Sequence, residues 1–379
     1  MRTTFSANVE WVTSMRSRGL NVRCGVTRLL AGAFLMAPLA ALLAAAQDVV
    51  RRSAESFSVH ADEFHQVPGF VAVADRRIFA VTAFLNAAGY HDEAHGMQMA
   101  PLRVKVRQMV AANLQHSAEK LARWKRQYAS YVQARILLPT YQDYGLRLSP
   151  DYPFQPVFPI PHKKLSRFHE TLNDFWRTAK LNAVWEAVKP DYMAEVHSYQ
   201  LERLQSAVDA LWAYLRMSRS DTFTFVIVPN PLCQSFTAQG VHPGGYYYIV
   251  DGPRVGHDFN SHEYLHSIVE PIVRRNLPGQ RRKLEEYFQA SKGRTVYYGT
   301  VPNFTSECLI RALTARLALK RDNTEERRAV NNRQIDSLMN AGFLLLRPFY
   351  DLLGSFEASD LPFDRFVPQL FERIPSYRR

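Results

Sequence analysis

His262-Glu263-Tyr264-Leu265-His266 constrains this chain more than any other stretch, because its chemistry works only on a helix. In a helix, residues i and i+4 share a face one turn apart, so both imidazoles can reach one metal ion. Glu263 then projects beside that ion, where a carboxylate can take a proton from a metal-activated water. The flanks agree with a helix of about 12–16 residues. Asp251 to Gly256 is loop chemistry, and Asp258 or Ser261 can cap the motif helix. Tyr264, Leu265, Ile268 and Val269 supply a buried face, and Pro271 is expected to end or kink the helix. The residue types point to zinc and to metal-assisted hydrolysis, with a peptide bond as the expected target. The bland alternative is a solvated helix carrying two unrelated histidines.

Catalytic zinc takes three protein ligands and keeps one position for water. A histidine six residues after His266 would complete one such set, but Val269 and Ile272 stand where that pattern needs Gly and His. A carboxylate on a later helix is the other solution. Phe304 to Leu317 has a helical period, with Asn303 or Thr305 as cap, and Glu307 falls in its first turn, 41 residues after His266. Glu307 is the expected third ligand. Glu270, one turn after His266, competes for that role or instead orients an imidazole from behind. Glu285 and Glu286 belong to a charged helix from Arg281 to Gln289 and read as a solvated face. Cys308 points about 100° away from Glu307 and reads as a buried thiol.

With these residues in place, the chain resembles the gluzincin class of zinc metallopeptidases. Val226-Ile227-Val228-Pro229-Asn230 before the motif and Ser306-Glu307-Cys308-Leu309-Ile310-Arg311-Ala312 after it look like an uncharacterised secreted bacterial family near that class. The resemblance covers roughly residues 70–375. It implies that His262, His266 and Glu307 bind Zn2+ and that Glu263 is the general base. It also implies an edge strand near the metal that binds extended peptide by strand addition. One departure stands out: some gluzincins carry an Asp four residues after the ligand Glu to steady a histidine, and here that position is Arg311. Tyr297, Tyr298 and His242 are candidate donors to the oxyanion, each with a structural reading beside the functional one. The competing functions are a non-catalytic zinc-binding protein on a zincin-like scaffold and an extracytoplasmic interaction protein without metal.

The N-terminus reads as a targeting segment. Arg16, Arg18, Arg23 and Arg28 precede 18 apolar residues from Leu29 to Ala46, ending in small residues before Gln47. Residues 1–46 are thus expected to be a signal peptide, with an uncleaved membrane anchor as the alternative. This implies an extracytoplasmic location, periplasmic or secreted. Without this leader, which holds five Arg and one Glu, the formal net charge of +12 drops by four to +8. The remaining Lys and Arg are scattered and no nucleic-acid motif accompanies them, so the expected partner is a peptide or protein substrate. No second stretch is long and apolar enough to span a bilayer. Cys233 and Cys308 are left, as one disulfide or two buried thiols.

The expected class is α+β and predominantly helical, with a small β-sheet and the motif helix in a zincin-like catalytic lobe between helical N-terminal and C-terminal parts. Residues 47–68 read as a loosely ordered lead-in, 69–220 as mainly helical, and 221–379 as the catalytic region with a helical end. Asp75 to Gly89 has a helical apolar pattern closed by Gly. His91 and His95 are four apart between Gly89 and Gly96, and read as a loop. Leu102 to Leu138 predicts one or two amphipathic helices, and Leu138 to Pro161, with six prolines, a long connection. Helices are expected at about 164–188 and 191–217, divided at Pro190. Strand character is confined to Thr222–Val228 and Tyr246–Val250. Two or three helices fill Ile335 to Ile374.

Overall fold

The hairpin that opens the sheet turns on Pro68-Gly69. Gly69 has a φ of +81°, the left-handed value that the second position of a Pro-Gly turn requires. The residues on either side pair antiparallel as β1 (Phe64–Val67) and β2 (Phe70–Val73). Strand therefore begins inside the segment expected to be a loose lead-in, and outside the two places where strand was expected. The Pro-Gly turn signal was present, but Phe-His-Gln-Val carries too few apolar residues to show an alternation. The computed structural model describes residues 64–90, 99–219, 224–233, 240–241, 246–252, 257–294 and 299–377.

Five strands form one sheet among the described residues, in the order β1-β2-β3-β5-β4, with β3 at Thr224–Pro229, β4 at Gly240–Val241 and β5 at Tyr246–Asp251. β2, β3 and β5 run parallel, and the two edge strands are antiparallel to their neighbours. Phe225 to Val228 and Tyr247 to Val250 are all buried, which is why they read as unbroken apolar runs: both faces of the sheet are covered.

Between β2 and β3 the described residues form seven α-helices: α1 (Arg76–Ala88), α2 (Pro101–Asn113), α3 (Ala118–Gln133), α4 (Leu138–Leu146), α5 (Phe168–Thr178), α6 (Leu181–Ser198) and α7 (Leu201–Leu215). After β5 come α8 (His257–Asn276), α9 (Arg281–Ser291), α10 (Val301–Arg321), α11 (Glu325–Ala341), α12 (Leu346–Glu357) and α13 (Phe363–Arg373). The α+β, predominantly helical class is as expected. α1 has the expected limits: the Asp75 side chain accepts from the amides of Arg77 and Ile78, and Gly89, with a φ of +115°, closes it. Trp124 of α3 packs edge-on against Phe175, with centroids 5.2 Å apart, so the aromatic stripe of that helix is core. None of the described helices is long and apolar enough to cross a membrane.

Two prolines expected to interrupt helices do not end them, and a third behaves the same way. Pro190 lies inside α6, Pro271 inside α8 and Pro368 inside α13. A mid-helix proline costs about 3 kcal/mol. Beyond each proline, however, stand residues buried at 2 % exposure or less: Tyr192 and Val196, Ile272 and Val273, Leu370 and Phe371. Burying a large side chain is worth about 1.5–3 kcal/mol, so two per helix outweigh the break. Pro139 misled in the opposite sense. The connection expected from Leu138 begins with α4, because a proline in the first turn lacks only an amide that would be unpaired anyway.

Candidate metal site

The motif helix is set by the sheet beneath it. Register places Phe70, Phe225 and Tyr247 in one row across three parallel strands. Phe225 and Tyr247 stack at 5.4 Å, and Tyr264 of α8 lies over the row, 5.3 Å from Phe225 and 5.8 Å from Phe70 between ring centroids. Trp212 of α7 donates its Nε1–H to the Tyr264 hydroxyl at 3.2 Å. With Tyr264, Leu265, Ile268 and Val269 turned into the core, His262, Glu263 and His266 are left half-buried on the flank of the helix. The rings of His262 and His266 stand 5.3 Å apart, and His262, Glu263 and His266 each offer a ligand atom within 4.8 Å of the others. α8 is longer than expected: it begins at His257, so Ser261 lies inside it, and it runs through Pro271 to Asn276.

α10 packs along α8 and supplies the third group. It starts at Thr300, whose hydroxyl accepts from the amide of Asn303, so neither Asn303 nor Thr305 is the cap and Glu307 lies in the second turn. The helix-dipole argument for Glu307 is correspondingly weaker. Its placement against α8 does the work instead. The Glu307 carboxylate is buried and faces both rings: Oε1 is 3.6 Å from His262 Nε2 and Oε2 is 3.3 Å from His266 Nε2. A direct charge-assisted hydrogen bond would be about 2.7–2.9 Å. Two ligands of a tetrahedral zinc, each about 2.0–2.2 Å from the ion, stand about 3.3–3.6 Å apart. The 3.3 Å between His266 Nε2 and Glu307 Oε2 falls in that range, while the 3.6 Å to His262 is made by the other oxygen.

The surrounding charges hold the groups in place. His266 Nδ1 donates to Glu270 Oε1 at 3.0 Å, and Arg274 pairs with the other oxygen of Glu270 at 3.1 Å. This holds the ring with Nε2 towards Glu307, the geometry of an orienting partner. Burial opposes charge on His266, but its contacts with the Glu270 and Glu307 carboxylates and the field of Glu263 outweigh it and hold the ring well above its ordinary pKa. Burial likewise opposes charge on Glu307, and Arg311 with the two imidazoles overcomes it, so the carboxyl lies well below its usual range.

Arg311 departs from the gluzincin pattern in a way the spacing could have shown. One turn beyond Glu307, it pairs with Oε1 at 2.6 Å, the i,i+4 acid–base pairing of any helix. Tyr247 is a second residue that sequence reasoning missed. It is buried in the row under α8, and burial, with the fields of Glu263, Glu270 and Glu307, keeps its hydroxyl protonated far above the ordinary range. Its signal was hidden in Tyr246-Tyr247-Tyr248, where nothing in the sequence says which ring faces the helix. Tyr297, Tyr298 and His242, the candidate oxyanion donors, lie outside the described residues, as do His91 and His95 and the leader. Cys233 and Cys308 are both buried and are not joined in a disulfide; burial pushes Cys308 up, and it takes no part in the cluster. Glu285 and Glu286 sit on α9 away from its buried face of Leu284, Tyr287 and Phe288.

Comparison with protein-family models, with curated proteins and with solved structures gave no match.

Proposed function

We propose that this chain is a zinc-dependent hydrolase, a peptidase of gluzincin-like construction with a zincin-like catalytic lobe. One observation carries the reading: two imidazole Nε2 atoms and a buried carboxylate converge at distances of 3.3 and 3.6 Å, set by two packed helices. His262, His266 and Glu307 would hold the ion. Zinc bound there would supply Lewis acidity towards a water and a carbonyl oxygen, lowering the pKa of that water towards about 7. Glu263, beside the ligand atoms on the same helix, accepts the proton of the attacking water and returns it to the leaving amine. Glu270 keeps His266 in register through both steps. Tyr298, Tyr297 or His242 would donate to the oxyanion.

A peptide or protein substrate and an extracytoplasmic location complete the proposal, the latter resting on the basic and apolar leader at 1–46. Sequencing the N-terminus of protein recovered from outside the cytoplasm tests it; an intact leader on protein retained inside would refute it.

Glu263→Gln tests the chemistry. Its zinc content by mass spectrometry should equal that of the wild type, while hydrolysis of a broad peptide library should fall by about 10²–10⁴-fold. Undiminished cleavage by the variant would exclude this mechanism. A wild-type chain that holds zinc and cleaves nothing would be a non-catalytic zinc-binding protein instead.

A further inference from the structure

Glu307 has two oxygens, and the structure treats them differently. Oε1 is held by the Arg311 guanidinium at 2.6 Å and stands 3.6 Å from His262 Nε2, whereas Oε2 faces His266 Nε2 at 3.3 Å. Arg311 is itself fixed from the far side: its guanidinium lies 4.5 Å from the centroid of the Phe343 ring, which is buried just beyond the end of α11. A cation braced on an aromatic ring and closed onto one carboxylate oxygen is a positioned group, and Arg suits this because its planar fork keeps its geometry.

We propose that Arg311 is a positioning residue that restricts Glu307 to one metal–oxygen bond, through Oε2, and so keeps the site four-coordinate with one position open. A free carboxylate can give a metal one oxygen or both, and zinc expands readily to five ligands. With Oε1 closed onto Arg311, a second metal–oxygen bond would have to displace or weaken that ion pair, so the open position stays available for water or substrate. The Asp that steadies a histidine in some gluzincins has no counterpart at this position. Glu270 does that task on α8, and α10 uses the freed position to control the ligand carboxylate instead. The inference rests on the proposed metal site, and its test separates the two.

The full chain is loaded with Co2+, whose visible absorption is stronger in four-coordinate than in five-coordinate sites. The wild type should show the four-coordinate spectrum. Arg311→Met, which keeps length and contact with Phe343 but frees Oε1, should lose intensity as the second oxygen binds. Arg311→Lys, which keeps a cationic donor at Oε1, should retain the wild-type spectrum. A four-coordinate wild type with an identical Arg311→Met spectrum would overturn this inference and leave the metal site standing. A wild type that takes up no cobalt would overturn both. A crystal structure of the zinc-loaded wild type decides the matter without any variant. Oε1 should stay on Arg311 with Oε2 on zinc, and two Glu307 oxygens on zinc would refute the assignment.

Discussion

Two buried clusters of charge in this molecule are built to opposite ends. At the start of α1, Arg77 forks onto Asp75, with Nε 3.0 and 3.1 Å from the two oxygens and Nη2 at 2.5 Å, and its remaining nitrogen reaches the carbonyls of Leu146 and Leu148 at 3.2 and 3.0 Å. The Asp75 carboxylate also caps the helix through the amides of Arg77 and Ile78. That cluster is closed. Between α8 and α10, the outer contacts are as short, at 2.6 Å for Arg311–Glu307 and 3.0 Å for His266–Glu270, but the inner ones between Glu307 and the two imidazoles open to 3.3 and 3.6 Å. Tight contacts outside and looser ones inside are what the proposed metal site requires. Asp75 and Glu307 are equally buried and each is paired with an arginine, so the two clusters differ chiefly in their inner distances.

Glu307 is where the two clusters should respond most differently. Glu307→Ala should abolish stoichiometric zinc binding and, with it, hydrolysis. In the wild type, free zinc at a thousandfold over its Kd should stabilise the fold by about 4 kcal/mol, seen as a rise in Tm. The variant should show no such rise. An equal zinc-dependent shift in both would mean that the carboxylate is no ligand and that the inner distances have been misread.

The closed cluster should respond in stability and in nothing else. Asp75→Asn keeps a capping side chain but removes the charge under Arg77, and breaking a buried pair from one side costs about 3–5 kcal/mol. Denaturant unfolding measures this, and zinc affinity should not change. The effect has a pH signature. Burial alone would raise the Asp75 carboxyl above its ordinary 3.8, but Arg77 and the capping amides hold it below. A carboxyl depressed in the folded state contributes stability above its unfolded pKa, and loses that contribution as pH falls through the folded value. The gap between wild type and Asp75→Asn should therefore be full at pH 7 and close on acidification below about pH 4. A gap independent of pH would show that packing, not charge, is what Asp75 supplies.

How much of this was legible in the sequence differs between the two clusters for a physical reason. His262, His266 and Glu307 could be named because H-E-x-x-H is a local pattern tied to one geometry, and because Glu307 sits on a strongly periodic helix. Asp75 and Gly89 could be read as the ends of α1 for the same reason. The fork of Arg77 onto Asp75 could not, since a pair two residues apart says nothing about burial. The prolines misled because a local cost was weighed without the long-range packing that offsets it. Pro271 is tolerated by Ile272 and Val273, whose burial is a property of the whole fold. The β1–β2 hairpin escaped because β1 is a short edge strand with two polar residues in four. Arg311 was read as the absence of an Asp, when its spacing from Glu307 already predicted a pair.

The mildest change should be at Glu270, and it sharpens the contrast because it touches only the outer ring of the open cluster. Glu270→Gln preserves shape and can still meet His266 Nδ1, but it removes the charge that favours an Nδ1-protonated ring and loosens the pair with Arg274. Losing such an outer partner typically costs about 10–100-fold in metal affinity, or about 1.4–2.7 kcal/mol. Glu270 and Arg274 are both partly exposed, so the metal-free fold should unfold within about 0.5 kcal/mol of wild type. Competition with a chelator of known affinity, run beside denaturant unfolding of the metal-free protein, separates the two quantities. A variant that lost stability and kept its zinc affinity would place Glu270 with Asp75, among the charges that hold the fold, and would leave His266 to be oriented by Glu307 alone.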